Sequence, residues 1–408
     1  MPSWNSLPSE LKFCIIGNLD TSDVGALSMV NQAAYTACVS ATFRVVKLKT
    51  PQALRSFVEN VPPNYYRYIR ELEISGPSSQ QLAIILAACT AIETVIVLEA
   101  GSLDKTIIPC FARLSSLRRL TLNNCNMTQN MPLSERVAVA IAASIPCLQH
   151  LTLDSITRSA LHAPELVGAY PCVPLVRGDD DVPDHPLLGR DLCLPMLLRI
   201  PTLRHLAVRD THLGDPRWMT TPVECQLQVL DLGSCFEASE DSNRVCIERI
   251  MSAVGPTVDE FSLMTAVSDA RFSREKDTPM PCLRKLHISP FFPVDSVVDT
   301  MDHLAGSPIE SVSMQCYDDD VADVCAAVED FLGLRASRGA DYYSHLSRID
   351  LTITGDGNHV ARAQATKKLQ DFCRNLGIGL PSLSRRARSA TMSIIDERVA
   401  TRLRRMTV

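Results

Sequence analysis

The stretch that decides the fold reads Leu-Arg-Arg-Leu-Thr-Leu-Asn-Asn-Cys from Leu117 to Cys125, and a near copy, Leu-Gln-Val-Leu-Asp-Leu-Gly-Ser-Cys, runs from Leu227 to Cys235. In both copies aliphatic residues stand at the first, fourth and sixth positions and a cysteine at the ninth. Such alternation is typical of a strand with one buried face. Three further copies carry a proline two residues before the first leucine, at Pro146, Pro201 and Pro281. The chain therefore contains an internal repeat.

The repeat occurs ten times when other aliphatic residues are allowed. The segments begin at Ile69, Ile92, Leu117, Leu148, Leu203, Leu227, Val258, Leu283, Ile309 and Leu346, with spacings of 23, 25, 31, 55, 24, 31, 25, 26 and 37 residues. Most spacings lie within or near the ~20–29 residues of leucine-rich repeats. We predict ten strands with positions one, four and six in the core and positions three, five and seven on the opposite face.

Helical patterns separate many of these strands. They cover residues 80–89, 134–145, 244–254, 294–305 and 321–332. Strands alternating with helices at this period predict an α/β fold, here a leucine-rich-repeat solenoid over 69–380: a horseshoe with a parallel sheet and outer helices. The longest spacing contains an acidic, proline-rich stretch near 157–187, which is either an insertion in a surface loop or one degenerate repeat.

Composition and motifs exclude several classes of function. The chain has 40 Lys and Arg against 46 Asp and Glu, so it lacks the broad basic field that general nucleic-acid binding requires. Its 15 cysteines include no Cys-x-x-Cys pair, and we predict buried thiols, no metal site and no cofactor. Motifs of nucleophilic, phosphate-binding or zinc enzymes are absent, so we predict no enzyme and no catalytic residue. Lacking a signal peptide and a membrane span, the chain is expected in the cytoplasm, the nucleus or both.

The first fifty residues follow a different, helical pattern. Its apolar positions include Leu7, Pro8, Leu11, Ile15, Ile16, Leu19, Val24 and Leu27. Pro8 suits the first turn of a helix, and Leu11, Ile15 and Leu19 recur every four residues along one face. The stretch 18–22, which is polar except for Leu19, ends this helix. Ser22 or Asp23 is the predicted N-cap of a second helix.

Residues 4–48 resemble the F-box, on the strength of Leu7-Pro8-Ser-Glu-Leu11, the spaced aliphatics after it and the closing Phe43-Arg44-Val45. Together with the segment from Tyr68 to Ile74 that opens the first repeat, the chain looks like fungal F-box proteins with leucine-rich repeats. The resemblance implies a small all-α module, joined by residues 49–68 to the repeats, in a substrate receptor of a Skp–cullin–F-box ubiquitin ligase. It also implies that the eight apolar residues named above bind a Skp-family adaptor, and through it a cullin, while the repeats bind a target protein.

Two other classes of protein stay open. The apolar stripe of the first helix can instead pack on the first repeat as the cap that a solenoid requires, in which case the chain is a leucine-rich scaffold or adaptor outside ubiquitin ligation. A leucine-rich GTPase-activating protein ranks last, because that class often carries an acidic tail. Here the tail at 381–408 is basic. Four interpretations of this tail stay open: a flexible segment, a last helix over the sheet edge, a kinase site or an import patch.

Six polar side chains are predicted to meet on the outward strand face of the middle repeats: Arg119, Asn123, His150, Asp154, His205 and Arg209. Guanidinium and imidazole groups bind carboxylates and phosphates through charge-assisted hydrogen bonds. One interpretation is therefore a patch that recognises an acidic or phosphorylated segment of a target. The other is an ordinary solvated face with scattered charges.

Overall fold

The computed structural model describes residues 4, 7–125, 131–166, 175–176, 178–267, 280–339 and 341–354, together with Lys367 and Arg374. The chain divides into two compact units, residues 1–203 and 204–408, and each has its own run of parallel strands. The predicted basic tail at 381–408 lies outside the described residues, as do 167–174 and 177 within the proline-rich stretch.

The first unit begins with three helices and continues with strands separated by helices and turns. Its elements are α1 (Ser9–Gly17), α2 (Thr21–Ser28), α3 (Gln32–Thr42), β1 (Val45–Leu48), α4 (Pro51–Asn60), β2 (Glu71–Ser75), α5 (Ser79–Ala88), β3 (Thr94–Leu98), α6 (Ile108–Phe111), β4 (Arg119–Asn123), β5 (Leu133–Ser134), α7 (Glu135–Ser144), β6 (His150–Asp154) and β7 (Ile156–Thr157). Strands β1, β2, β3, β4 and β6 pair in this order, all parallel. The short strands β5 and β7 form a separate parallel pair.

The second unit continues the alternation. Its elements are β8 (His205–Arg209), β9 (Val229–Leu232), α8 (Glu240–Val254), β10 (Glu260–Leu263), β11 (Lys285–Ile288), α9 (Val297–His303), β12 (Ser311–Tyr317), α10 (Val321–Arg338) and β13 (Arg348–Thr354). Each strand pairs in parallel with the next along the chain. Sequence order and spatial order therefore coincide within this unit.

The ten predicted strands are confirmed, and each begins two residues after the first position of its segment. All thirty residues at positions one, four and six are buried, none more than 6% exposed. The register aligns equivalent positions of neighbouring repeats, for example Leu120 with Leu151 and Leu230 with Phe261. The fold class is α/β with parallel strands and helices, consistent with a solenoid of the leucine-rich-repeat type.

Strand β1 was missed by the sequence analysis, in which the first strand is the one that follows Ile69. It is only four residues long, and it pairs with β2 through a register that aligns Val46 with Leu72. Both Val46 and Leu48 are buried. Helix α4 follows directly, because Thr50 accepts a hydrogen bond from the Ala53 backbone N–H and Pro51 occupies the first turn.

The predicted helices between strands are confirmed as α5, α7, α8, α9 and α10. Four of them have boundaries within four residues of the prediction, whereas α10 ends six residues later than predicted, at Arg338. Serine caps begin three of them. Ser78 forms a capping box with Gln81 in front of α5, and the hydroxyls of Ser134 and Ser239 accept from backbone N–H groups of α7 and α8. Because these serine caps are local sequence signals, the alternation of strands and helices can be predicted from the sequence.

Among the described residues seven cysteines are buried, whereas Cys14, Cys147 and Cys282 are exposed, so the prediction of buried thiols holds only in part. Cys235, at the ninth repeat position, is 3% exposed, and its backbone exchanges hydrogen bonds of 3.0 and 2.9 Å with the Asn243 side chain. Burial raises the pKa of the Cys235 thiol to about 12, so it stays protonated near neutral pH. The described residues contain no group of three or more His, Cys, Asp or Glu arranged to hold a metal ion. None of the helices described combines the length and apolar character needed to cross a membrane.

Candidate functional site

The three N-terminal helices owe their boundaries to local caps. Asp20, rather than the predicted Ser22 or Asp23, caps α2, and its carboxylate accepts a 2.8 Å hydrogen bond from the Asp23 backbone N–H. That bond lowers the pKa of Asp20. Asn31 caps α3 in the same way, through a 2.8 Å bond from the Ala34 backbone N–H. The sequence prediction for the cap was wrong because the helix begins two residues earlier than the aliphatic pattern indicates.

The interior of this helical module is small. It consists of Ile16, Val24 and Cys38, all buried. Partly buried side chains pack around these three: Trp4, Leu19, Leu27, Ala37 and Ala41. Of the residues predicted to bind an adaptor, Ile16 and Val24 are therefore core residues, and Leu19 and Leu27 pack against them. Ile16 and Val24 therefore lie in the interior of the module, whereas Leu19 and Leu27 keep part of their surface exposed.

Other apolar side chains of the module face solvent. Leu11 and Ile15, one turn apart on α1, are 51% and 42% exposed, and Phe13 on another side of α1 is 53% exposed. Pro8 is also exposed, and Leu7 is half-buried. In the turn between α2 and α3, Met29 and Val30 are 87% and 67% exposed. Phe13, Met29 and Val30 are absent from the predicted set of eight residues, which was taken from the F-box resemblance.

The module joins the strands of the first unit through α3. Helix α3 packs against α1, α2 and the turn Pro63–Tyr68. The rings of Phe43 and Tyr65 lie 5.1 Å apart, and a hydrogen bond with Tyr35 raises the pKa of Tyr65. Helix α3 and Phe43 therefore pack against the turn that precedes the first repeat, while Leu11 and Ile15 on α1 are left uncovered.

The predicted polar patch on the strand face begins in the first unit. The register places Arg119 beside His150 and Asn123 beside Asp154. Asn123 donates a 3.1 Å hydrogen bond to Asp154, which is 5% exposed and also accepts from the Cys125 thiol at 3.1 Å. Asn123 and Asp154 thus belong to a hydrogen-bonded turn, which is a structural role. Arg119 is exposed.

The remaining two patch residues, His205 and Arg209 on β8, lie in the second unit. Arg209 forms an ion pair with Asp231 on the next strand. The same strand face carries further pairs, from Glu260 to Lys285 at 3.3 Å and to His287 at 2.9 Å. Arg209 and Lys285 on this face each have a neighbouring carboxylate, so the face of the second unit is not uniformly basic.

The stretch 157–187, here named the insertion, is anchored to the N-terminal end of α7 by buried charges. The guanidinium of Arg158 meets the Glu135 carboxylate at 3.2 Å, with side chains 0% and 3% exposed. The other oxygen of Glu135 accepts a 2.8 Å hydrogen bond from the Leu194 backbone N–H. One carboxylate on α7 therefore fixes both the start of the insertion and the segment beyond it.

A second anchor lies beside the first. The Ser134 hydroxyl donates to the buried carboxylate of Asp179, and His162 lies 3.2 Å from that carboxylate and 2.9 Å from Asp180. Burial raises the pKa of Asp179, opposed by the Ser134 hydrogen bond and by the charges of His162 and Arg136. The Arg136 side chain also donates to the backbone oxygen of Asp179 at 3.1 Å. Glu135 and Arg158 are 23 residues apart in the chain, and Ser134 and Asp179 are 45 residues apart. Contacts over such separations are invisible to periodicity, which explains why the sequence did not predict either anchor.

Comparison with known proteins adds little. No protein-family model matches the chain, and no curated protein sequence matches it. Among solved structures, a crystal structure of the Rad7 and Elc1 complex in yeast is similar over 92% of this chain and 93% of that chain, with 11% identity and a TM-score of 0.31. Similarity at this level is too low to carry an inference about function.

Proposed function

We propose that this chain is the substrate-recognition subunit of a Skp–cullin–F-box ubiquitin ligase, working in the cytoplasm, the nucleus or both. Helices α1–α3 act as its F-box and bind a Skp-family adaptor, which connects the chain to a cullin. The repeats hold the target protein. The observation that carries the proposal is the exposure of large apolar side chains on more than one side of α1 and in the turn after α2. The name α1 surface is used for these five residues together: Leu11, Phe13, Ile15, Met29 and Val30.

The α1 surface is large for the size of its module. Among the described residues, fifteen large apolar side chains are exposed, and the stretch from α1 to Tyr35 holds six of them. Among their described residues, the same three helices bury five: Ile16, Val24, Ala34, Cys38 and Val39. Burying one aliphatic or aromatic side chain gains about 1.5–3 kcal/mol, so this surface favours a partner. The F-box resemblance implies that this partner is a Skp-family adaptor.

The proposed mechanism is proximity and needs no bond chemistry from this chain. The F-box fixes the receptor to the ligase, and the repeats hold the target near the charged conjugating enzyme. Tethering turns a bimolecular encounter into an effectively intramolecular one, with local concentrations around the millimolar range for short connections. The chain then contributes binding and orientation, while the transfer of ubiquitin belongs to its partners.

The proposal predicts that charging the α1 surface abolishes adaptor binding. We expect the double variant Leu11→Glu/Ile15→Glu to lose a purified Skp-family adaptor in a co-purification assay, because truncating a buried interface anchor typically costs about 2 kcal/mol or more. A 2 kcal/mol loss corresponds to roughly a 30-fold weaker complex. Both side chains are about half exposed in the free chain, so the helix retains its own packing.

Ile84→Glu is the matched control. Ile84 lies on α5 and is 46% exposed, which places it between Leu11 and Ile15 in accessibility. The control variant is expected to retain the adaptor in full. An adaptor that fails to co-purify with the unaltered chain, or that is retained equally by the double variant and the control, contradicts the proposed function.

A further inference from the structure

The strand face of the first unit carries an arginine that has no partner within the described part of the chain. Arg119 on β4 is exposed, and its guanidinium forms no ion pair or hydrogen bond with another described residue. Lys47, on the same face, is paired with Glu73 at 3.1 Å, and Arg209 in the second unit is paired with a carboxylate as well. A guanidinium without a partner gives up no existing contact when it binds an incoming anion. Arg119 is therefore available to a partner.

Hydroxyl groups surround Arg119 on this face. The parallel register places Thr94 beside it on β3 and His150 beside it on β6. Thr121 lies two residues further along β4, on the same face, and is aligned with Thr152. The three threonines are half-buried, and within the described chain their hydroxyls form no hydrogen bond to other protein groups. Because each hydroxyl can donate one hydrogen bond, the face offers several donors around one cation.

The carboxylates on this side of the first unit are distant from Arg119 or already engaged. The two glutamates of β2 lie two strands from β4, which is about 10 Å at the usual strand spacing. Glu93, just before β3, forms an ion pair with Arg70 at 3.5 Å, and the buried Asp154 accepts a hydrogen bond from Asn123. No Asp or Glu occupies the third or fifth position of β3, β4 or β6. The face around Arg119 therefore favours an anionic partner.

We propose that Arg119, Thr94, Thr121 and Thr152, here named the Arg119 site, form the docking site for an acidic segment of the target protein. A Glu or Asp carboxylate of that segment binds the Arg119 guanidinium, and the threonine hydroxyls donate to its neighbouring oxygens. The inference rests on the proposed function, because it names the class of segment that the receptor takes.

The donor set fits a carboxylate better than a phosphate. One guanidinium can donate two parallel hydrogen bonds to a planar carboxylate, whereas phosphorylated motifs are typically bound by clusters of arginines. Strands β3, β4 and β6 contain a single arginine, Arg119. Ile96, which is half-buried on the same face as Thr94, adds an apolar contact for a neighbouring side chain of the segment. The expected occupant is thus an extended acidic segment with at least one aliphatic residue.

A random dodecapeptide library displayed on phage, selected against the full chain, tests the inference. We expect the enriched peptides to carry a net negative charge and at least one Glu or Asp in common. One enriched peptide is then synthesised with a fluorescent label and titrated by anisotropy. Its binding is expected to weaken roughly tenfold or more in Arg119→Met and severalfold in Thr94→Val/Thr152→Val, because charge-assisted hydrogen bonds are lost. Raising the salt from about 50 to about 300 mM is expected to weaken binding as well.

Arg113→Met is the matched control. Arg113 is also exposed, has no ion pair with another described residue and lies in the turn before β4 rather than on a strand. The control removes the same charge as Arg119→Met, so a general attraction between the peptide and a positive surface would weaken equally in both variants. Arg113→Met is expected to bind the peptide as the unaltered chain does.

Several outcomes overturn the inference: enrichment of basic peptides, no enrichment at all, or equal losses for Arg119→Met and Arg113→Met. A second peptide, with its shared acidic residue replaced by phosphoserine, tests the choice of anion, and tighter binding of this form overturns the assignment to a carboxylate. Adaptor co-purification with Arg119→Met and the unaltered chain separates the two proposals. Peptide binding that does not depend on Arg119 while the adaptor complex is intact removes only the Arg119 site, whereas Arg119-dependent peptide binding without any adaptor complex removes only the ligase assignment.

Discussion

Arg158→Met is expected to destabilise the first unit by about 3–5 kcal/mol, the cost of leaving a buried carboxylate without its cation. Glu135 is 3% exposed, so its charge cannot be solvated when the guanidinium 3.2 Å away is removed. The hydrogen bond from the Leu194 backbone N–H remains, but a neutral donor does not replace the charge of the guanidinium. Chemical denaturation followed by circular dichroism measures the loss, and limited proteolysis tests whether the insertion becomes accessible.

Two comparison variants make this result specific. Arg190→Met removes an exposed ion pair with Asp184, whose side chains are 87% and 60% exposed, and is expected to cost less than about 1 kcal/mol. The double variant Glu135→Gln/Arg158→Met removes both buried charges while the Gln amide oxygen still accepts from Leu194. It is expected to recover much of the lost stability. Equal losses for Arg158→Met and Arg190→Met contradict a buried anchor.

Leu151→Ala is expected to cost about 2–5 kcal/mol, the range for emptying a fully packed leucine site. Leu151 lies in β6 and occupies position four of the repeat that begins at Leu148. It is fully buried and aligns with Leu120 in the neighbouring repeat. Its chain neighbour provides the control, because Thr152 points to the other face and is only half-buried. We expect Thr152→Ala to lower the free energy of unfolding by less than about 1 kcal/mol. Urea denaturation of each variant measures both losses. A loss of stability for Thr152→Ala that exceeds the loss for Leu151→Ala contradicts the assignment of Leu151 to the buried face of β6.

The repeat strands were predictable because their information is local. Residues at positions one, four and six must all be apolar for a strand to bury one face, and this pattern identifies Leu117, Leu120 and Leu122 without knowledge of the neighbours. Strand β1 has only the pair Val46 and Leu48 on its buried face, which is too short to stand out. Its position is set by backbone pairing with β2, a contact that periodicity does not reveal.

The candidate sites were predictable only in part. Four-residue spacing correctly finds the exposed pair Leu11 and Ile15, but resemblance alone cannot divide the eight apolar residues between the core of the module and its surface. Ile16 and Val24 turn inward because α3 covers them, and α3 is placed by the Asn31 cap and by Phe43 against Tyr65. Pairing across strands, such as Arg209 with Asp231, likewise depends on side-chain direction, which the sequence does not state.

Hydrogen–deuterium exchange of the full chain, with and without a purified Skp-family adaptor, tests the central claim most directly. We expect the adaptor to slow amide exchange in α1 and in the turn at Met29 and Val30, where the exposed apolar side chains lie. Exchange in the strands β8–β13 is expected to stay unchanged. Unaltered exchange in α1 at saturating adaptor, or protection confined to the repeats, contradicts the assignment of the N-terminal helices as an F-box.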